Sequence, residues 1–329
     1  MNNNLCSTVI KSGGTVIPIL PSSRSTEGLG IMNPSIYADK EGLLLNLRNV
    51  NYTLYHCENE QLFNNRHGPL VYLHPENDIH LRTKNFMCLL DDNLGIKSYY
   101  KVDTTKFDVT PIWEFVGLED VRLVRWDDRL FMCGVRRDTK TDGEGRMEMS
   151  EIVINIPNVD EIARYRIEPP KWSYCEKNWM PILDMPFHFV KWTNPTEVVK
   201  VNIETLTSET VFLCNDIIEG LPDLRGSSQV ISYNDNYMCL VHCCDLFKNK
   251  LMQKDAKYTH WFITWNKNWD IINVSEPFSF MDGEIEFCCG LAIHNGDMLI
   301  SFGFQDNAAY ILKIPLEKIN TILHELNTR

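Results

Sequence analysis

Five times along the chain a polar cluster stands directly ahead of an apolar run. Asn33-Pro34 precedes Ser35-Ile36-Tyr37, Glu119-Asp120 with Arg122 precedes Leu123-Val124, and Lys177-Asn178 precedes Trp179-Met180. Ser227-Ser228-Gln229 precedes Val230-Ile231, and Glu286 precedes Phe287-Cys288-Cys289. Carboxylates beside amides and cations place acid–base groups next to hydrogen-bond donors, which is the chemistry a sugar requires. Singly, each is an ordinary turn residue before a strand. Their recurrence at equivalent places carries the inference.

The elements that must position them read as short strands rich in Val, Ile, Leu, Phe, Tyr and Trp, separated by Asp, Asn and Gly turns. Val121–Trp126, Asp127-Asp128 and Leu130–Val135 form a hairpin pattern. It recurs at Gln229–Tyr233 with Tyr237–His242, at Gly290–Ile293 with Met298–Phe302, and at Asn33–Tyr37 with Leu43–Leu47. Phe187–Trp192 with Glu197–Val201 follows it more loosely. Five such units predict an all-β fold, a five-bladed β-propeller, whose radial repetition protects sheet edges; a sandwich is the alternative. In a propeller the polar strand starts converge on one axial pocket. One helix is expected, from Pro315 to about Leu326, with Ile319, Ile322, Leu323 and Leu326 on one face. Arg137–Arg146 reads as a mobile polar loop. No composition shift divides the chain, so 1–329 is expected to be a single domain.

The 329 residues, 44% hydrophobic and 23% charged, suit a cored protein, and the formal charge of −12 argues against nucleic acid or an anionic membrane as partner. Any phosphate must be held locally. No signal peptide or spanning segment is visible, and eleven Cys without a CxxC pair indicate neither a disulfide framework nor a zinc ribbon. A cytoplasmic location is expected, which leaves the sequons at Asn51 and Asn273 incidental. His242-Cys243-Cys244 and Cys288-Cys289 could suggest a soft-metal site, but neighbours on a strand face opposite ways, so no metal and no cofactor are expected. GxSxG, HExxH, P-loop and GxGxxG patterns are absent.

GIMNPSI with LLLNLR (Gly30–Ile36, Leu43–Arg48), GLEDVRLV (Gly117–Val124), KNWMP (Lys177–Pro181), YMCLVH (Tyr237–His242) and SFGFQDNAA (Ser301–Ala309) occur in the order seen in the β-mannoside phosphorylase family, which this chain resembles from about residue 28 to 313. It is also similar to kinetoplastid mannosyltransferase/phosphorylases and to propeller domains found beside bacterial glycosyltransferases. The resemblance implies a five-bladed propeller acting on mannosides, with Asp120 as the general acid that protonates the glycosidic oxygen by way of a sugar hydroxyl. It implies that Arg48, Lys177 and Asn178 approach phosphate and sugar, that His242 lies on the phosphate side, and that Asp306 binds sugar hydroxyls. The chain differs from the family pattern at Val121, Cys243 and Asn178.

An inverting glycosyl transfer needs one positioned carboxyl and a nucleophile on the opposite face. With phosphate as nucleophile, cations replace a second carboxylate, and Arg48, Arg122, Lys177, Arg225 and His242 are candidates. Equally, Arg122 could pair with Glu119 or Glu114 on a sheet face. A hydrolase would need Glu286 or Asp306 to activate water. The expected site is Asp120 as catalytic group, with Asn33, Arg48, Glu119, Arg122, Lys177, Asn178, His242, Glu286 and Asp306 binding substrate. The expected partners are a glycan acceptor and a sugar 1-phosphate or nucleotide sugar, the loops Arg137–Arg146 and Asp245–Lys257 deciding between donors. Tyr258, His260 and Trp261 could stack on a sugar or base, or be core. A non-catalytic carbohydrate-binding propeller, and a scaffold in a polysaccharide complex, are the competing functions.

Overall fold

Strands buried on both faces read as continuous apolar runs, and strands with one wet face alternate. Both kinds occur here in a regular order. The computed structural model describes residues 3–21, 30–40, 42–55, 71–73, 78, 80–248 and 254–327, and these are nearly all β-strand. The first antiparallel meander runs Gly30–Asp39, Gly42–Val50, Leu81–Leu90 and Ile96–Asp103. The second runs Glu119–Trp126, Arg129–Arg136, Arg146–Asn155 and Asn158–Arg166. The third runs Met180–Pro181, His188–Thr193, Thr196–Asn202 and Thr207–Leu213.

The fourth meander has a broken first strand, Arg225–Gly226 then Ile231–Tyr233, followed by Asn236–Lys248, Lys254–Trp265 and Ile271–Val274. The fifth runs Glu286–His294, Asp297–Phe304 and Ala308–Pro315, and takes its fourth strand, Thr15–Pro18, from the other end of the chain. In the second meander Glu119–Trp126 has no exposed residue and buries Val121–Val124 and Trp126, whereas in the third the last strand Thr207–Leu213 is mostly exposed. The outer strands of the first two meanders pair in parallel through Val102 with Val159, giving an eight-strand path whose end strands lie against each other, so that it nearly closes like a barrel.

Apolar faces are buried between consecutive meanders. Leu44 and Met87 of the first meet Leu123 and Met132 of the second; Phe131 and Met149 of the second meet Phe189 and Val199 of the third. Val190 and Val198 of the third meet Val241 and Ile263 of the fourth, and Leu240 and Phe262 of the fourth meet Ile300 and Phe302 of the fifth. Leu299 and Ile311 of the fifth meet Leu45 and Cys88 of the first.

The first strands meet one another without a shared ladder, so side chains satisfy their backbone groups. Gln229, fully buried, donates from Nε2 to the carbonyls of Ile36 (3.2 Å) and Leu123 (3.0 Å) and accepts from the Leu291 N–H through Oε1 (3.0 Å). Ser301 Oγ donates to the Pro34 carbonyl (2.7 Å) and accepts from the Ile36 N–H (2.9 Å).

The C-terminal helix, Ile319–Asn327 after a 3-10 turn at Leu316–Lys318, buries Ile319, Ile322, Leu323 and Leu326 in the cluster between the fourth and fifth meanders. A second helix that the sequence did not reveal, Leu5–Lys11, buries Leu5 and Val9 in the same cluster, with Asn4 capping its start by accepting from the Ser7 N–H (2.8 Å). Its β-branched residues and its length of about two turns leave little helical pattern to read. Of the two expected loops, the first is a loop held by hydrogen bonds and the second is corrected. Arg137–Arg146 is tied down, with Arg137 Nε on the Gly143 carbonyl (3.0 Å) and Tyr174 OH on the Asp142 carbonyl (2.6 Å). Asp245–Lys257 is a strand hairpin rather than a loop, its pairing running from Asp245 with Lys257 to Lys248 with Lys254, and residues 249–253 lie outside the described residues.

Gln229→Leu keeps the shape and strands one N–H and two carbonyls on the axis. Denaturant unfolding is expected to show a loss of about 2–4 kcal/mol, and a change below about 0.5 kcal/mol would remove Gln229 from that role.

Candidate active site

Three polar residues on or just ahead of the first strands of their meanders adopt left-handed backbone: Asn33 at φ +44°, Asp120 at +50° and Asn178 at +64°. Asn and Asp tolerate this region better than other non-glycine residues. At Asn33 and Asp120 the ladder slips, between Met32 and Ser35 and between Glu119 and Arg122, and such a bulge re-aims the side chain it carries. Two glycines let neighbouring backbone come close: a Cβ on Gly303 would collide with Asn33, and one on Gly226 with the carbonyl of Asn178.

The side chains so aimed form one network. Asp120 Oδ1 accepts from Asn33 Nδ2 (2.8 Å) and Arg48 Nη1 (2.7 Å). Oδ2 makes no hydrogen bond among the described residues. Arg48 also reaches Glu119 Oε2 (2.9 Å), Tyr52 OH (2.8 Å) and Thr83 Oγ1 (3.1 Å). Arg122, 1% exposed, donates to the carbonyls of Ser227 (2.7 Å), Asp120 (2.6 Å) and Gly226 (3.3 Å) and to Asn178 Oδ1 (3.3 Å), and it stacks on Phe287. It therefore pairs with neither Glu119 nor Glu114. Its charge stands on neutral acceptors, so the positive field extends to its neighbours.

That field decides protonation. Burial pushes the Asp120 carboxyl up, but Arg48, Arg122, the Asn33 amide and Lys177 together hold it below the ordinary carboxylate range. Asp120 is a carboxylate at rest. His242 accepts from or donates to Ser227 Oγ (2.9 Å) and packs against Tyr258 and Phe287. Burial first, then His260 and the cations Arg122, Lys177 and Arg225, depress its imidazole well below the usual value. It is neutral, and the expectation that it adds positive charge is corrected.

Of the ten residues expected at the site, Asn33, Arg48, Glu119, Asp120, Arg122 and Asn178 are hydrogen-bonded into one cluster, and His242 adjoins it through Ser227. Lys177 is exposed and acts electrostatically on Asp120 and His242. Asp306, in the turn after Phe304 at φ +50°, acts in the same way on Arg48 and Tyr258. Glu286 differs. Fully buried, it accepts the N–H groups of Phe280 (2.5 Å), Met281 (2.7 Å) and Gly283 (2.8 Å), so it fixes that turn and does not face a ligand.

Tyr52, Thr83, Ser227 and Phe287 were not singled out as site side chains. Only Ser227 had a signal, its place in a polar strand start. His260 and Trp261 are core residues. Among the described residues no group of three His, Cys, Asp or Glu is placed to hold a metal ion, and no helix is long and apolar enough to cross a membrane.

No protein-family model matches the chain, and no curated protein sequence matches it. Solved structures do match its fold. β-1,2-Mannobiose phosphorylase from Listeria innocua, in complex with β-1,2-mannobiose, superposes with a TM-score of 0.56 at 12% identity, over 95% of this chain and 97% of that one. A mannose phosphorylase from Leishmania mexicana, in complex with phosphate, gives 0.52 at 10% identity over 95% and 92%. A glycosyl hydrolase from Bacteroides ovatus gives 0.51 at 10% identity over 87% and 84%. The fold is that of the β-mannoside phosphorylase propellers.

His260, fully buried between Phe278 and Phe280, has its imidazole depressed by burial to about 3, and neither ring nitrogen has a hydrogen-bond partner among the described residues. In the unfolded chain both His242 and His260 take up a proton below about pH 6.5, and in the folded chain they do not. Stability is therefore lost as pH falls below about 6.5, at about 1.4 kcal/mol per pH unit for each imidazole. Unfolding curves at several pH values between 7 and 5 should show this, and His260→Phe should remove roughly half of the two imidazoles' contribution to the slope.

Proposed function

We propose that the chain is an inverting glycosyl-transfer enzyme acting on mannosyl or similar sugars, built as a single five-bladed propeller over residues 1–329. The cyclic order of meanders and shared cores supports the five blades. The observation that carries the activity is Asp120: a carboxylate on a left-handed bulge, with Oδ1 fixed by Asn33 and Arg48 and Oδ2 unengaged. The phosphorylase activity and the bound phosphate and mannobiose in the names of the fold neighbours support the sugar class. Free cysteines throughout the described residues support a reducing, cytoplasmic setting.

In the synthetic direction the resting carboxylate is the base. Asp120 takes a proton from an acceptor hydroxyl, directly or through a sugar hydroxyl, as that oxygen attacks the anomeric carbon of the donor. The bond from the anomeric carbon to the donor phosphate breaks, and phosphate or a nucleoside diphosphate leaves with the electron pair. Phosphorolysis is the reverse and needs Asp120 protonated. A bound phosphate dianion would offset the cations that hold the carboxyl low, raising its pKa only when the nucleophile is present. Arg48 and Arg122, wrapped in protein acceptors, set the field, while exposed Lys177 and half-exposed Arg225 are the cations that touch phosphate. With Glu286 locked on backbone, a hydrolytic reading rests on Asp306 alone.

Phosphorus NMR with mannose 1-phosphate or GDP-mannose and small mannoside acceptors tests the reading. Acceptor-dependent release of phosphate or GDP is expected, falling about 10²–10⁴-fold in a folded Asp120→Asn variant. Undiminished turnover in Asp120→Asn would sink the assignment. Sugar affinity without turnover of any donor would favour the binding module instead. Because the Asp120 carboxyl is held low, the synthetic rate should not fall through protonation of this base as pH drops from about 8 to about 6.5, below which the two buried imidazoles begin to cost stability.

A further inference from the structure

Beside Lys177 and Asn178 a pocket of about 510 Å³ opens between the third and fourth meanders. Its walls come from the connection 171–179 and from Lys191, Trp192, Arg225 and Gly226. Two indoles line it while exposed to solvent, Trp172 at 70% and Trp192 at 40%. Trp172 is not loose: its Nε1–H donates to Glu144 Oε2 (3.2 Å), which fixes the ring without covering its faces. A fixed, uncovered indole is a stacking platform rather than core.

The charge on the lining is one-sided. Glu176 is its only acid, and Lys191 lies 3.7 Å from it. Lys171, Lys177 and Arg225 remain, of which Arg225 is shared with the exposed Asp223 (3.2 Å). In a chain of net charge −12 this surplus is local. Positive groups at the axial end and exposed indoles suit a ligand that is anionic at one end and planar aromatic at the other. A neutral glycan would use the indoles and leave the cations without a role.

We propose that this pocket binds the nucleoside diphosphate part of a nucleotide-sugar donor, the diphosphate on Lys177 and Arg225 and the base on Trp172 or Trp192. The proposal rests on the glycosyl-transfer reading and extends it by choosing the donor. The sugar then reaches Asp120 past Asn178, whose Oδ1 is held by Arg122.

The test titrates GDP, ADP and UDP, with pyrophosphate and β-1,2-mannobiose as separate arms, into the intact protein while following indole fluorescence. At least one nucleotide should bind and quench. Replacing the stacking indole by Ala (Trp172→Ala or Trp192→Ala) should weaken it about 5- to 100-fold, with Phe at that position restoring part, and should affect pyrophosphate little. Trp172 is exposed enough that its removal leaves the core intact. Failure of all three nucleotides to bind, binding indifferent to both tryptophans, or quenching by mannobiose alone would overturn the proposal. Turnover of mannose 1-phosphate through Asp120 without nucleotide binding would sink the pocket and leave the glycosyl-transfer reading standing. Tryptophan-dependent nucleotide binding with turnover indifferent to Asp120→Asn would do the reverse.

Discussion

Strands that converge on an axis face each other without a ladder, and their backbone groups must still be satisfied. Here Gln229, Ser35 and Ser301 do this from four different meanders' worth of contacts: Gln229 alone touches Ile36, Leu123 and Leu291, on the first, second and fifth meanders, from its own place on the fourth. A buried amide with all its partners in place is strongly directional, so it sets how the first strands are rotated about the axis. The site depends on that rotation. Asn33 sits on a bulge within one of these strands, Asp120 near the start of a second and Asn178 just ahead of a third, and a shift in any one would separate the atoms that now lie 2.7–3.3 Å apart.

The charge arrangement follows from the same convergence. Arg122 lies on carbonyls from the second and fourth meanders, where a carboxylate partner would have neutralised it. Left uncompensated, its charge lowers the Asp120 carboxyl and helps depress the His242 imidazole. Arg48 lowers the carboxyl more, and burial and His260 depress the imidazole more, but this one guanidinium favours the ionised carboxylate and the neutral imidazole together. Burial alone would push the carboxyl the other way, toward the neutral form.

Much of this was legible in the sequence, and the reason differs by element. The hairpins around Asp127-Asp128 and Asn234-Asp235 were readable because turn residues and two-residue alternation are local. Met180–Pro181 and Arg225–Gly226 are too short for any periodic signal, and the pairing of Thr15–Pro18 with the last strand spans the chain. Asn33, Asp120 and Asn178 stood out because left-handed positions favour their residue types. Glu286 stood out for the same polar-before-apolar pattern, yet holds a backbone turn. Sequence does not say whether a carboxylate accepts from backbone or from a ligand. His242 as a cation was misread because its state depends on burial and on charges from other meanders.

The balance of charges also bears on direction. A protein carrying −12 overall repels a phosphate dianion at long range, but within a Debye length of about 8 Å the local groups dominate. Lys177 and Arg225 are the exposed cations beside the axis, while Arg48 and Arg122 act from behind the Asp120 carboxylate. In the proposed synthetic direction an anionic donor would find its attraction near that carboxylate, which is held deprotonated at rest and so could accept an incoming hydroxyl's proton. In that proposed cycle, departure of the anion would leave the cations free to lower the carboxyl again and so return Asp120 to its basic state. Phosphorolysis by the same site would work against this gradient, since its acid would have to be generated by the arrival of the nucleophile.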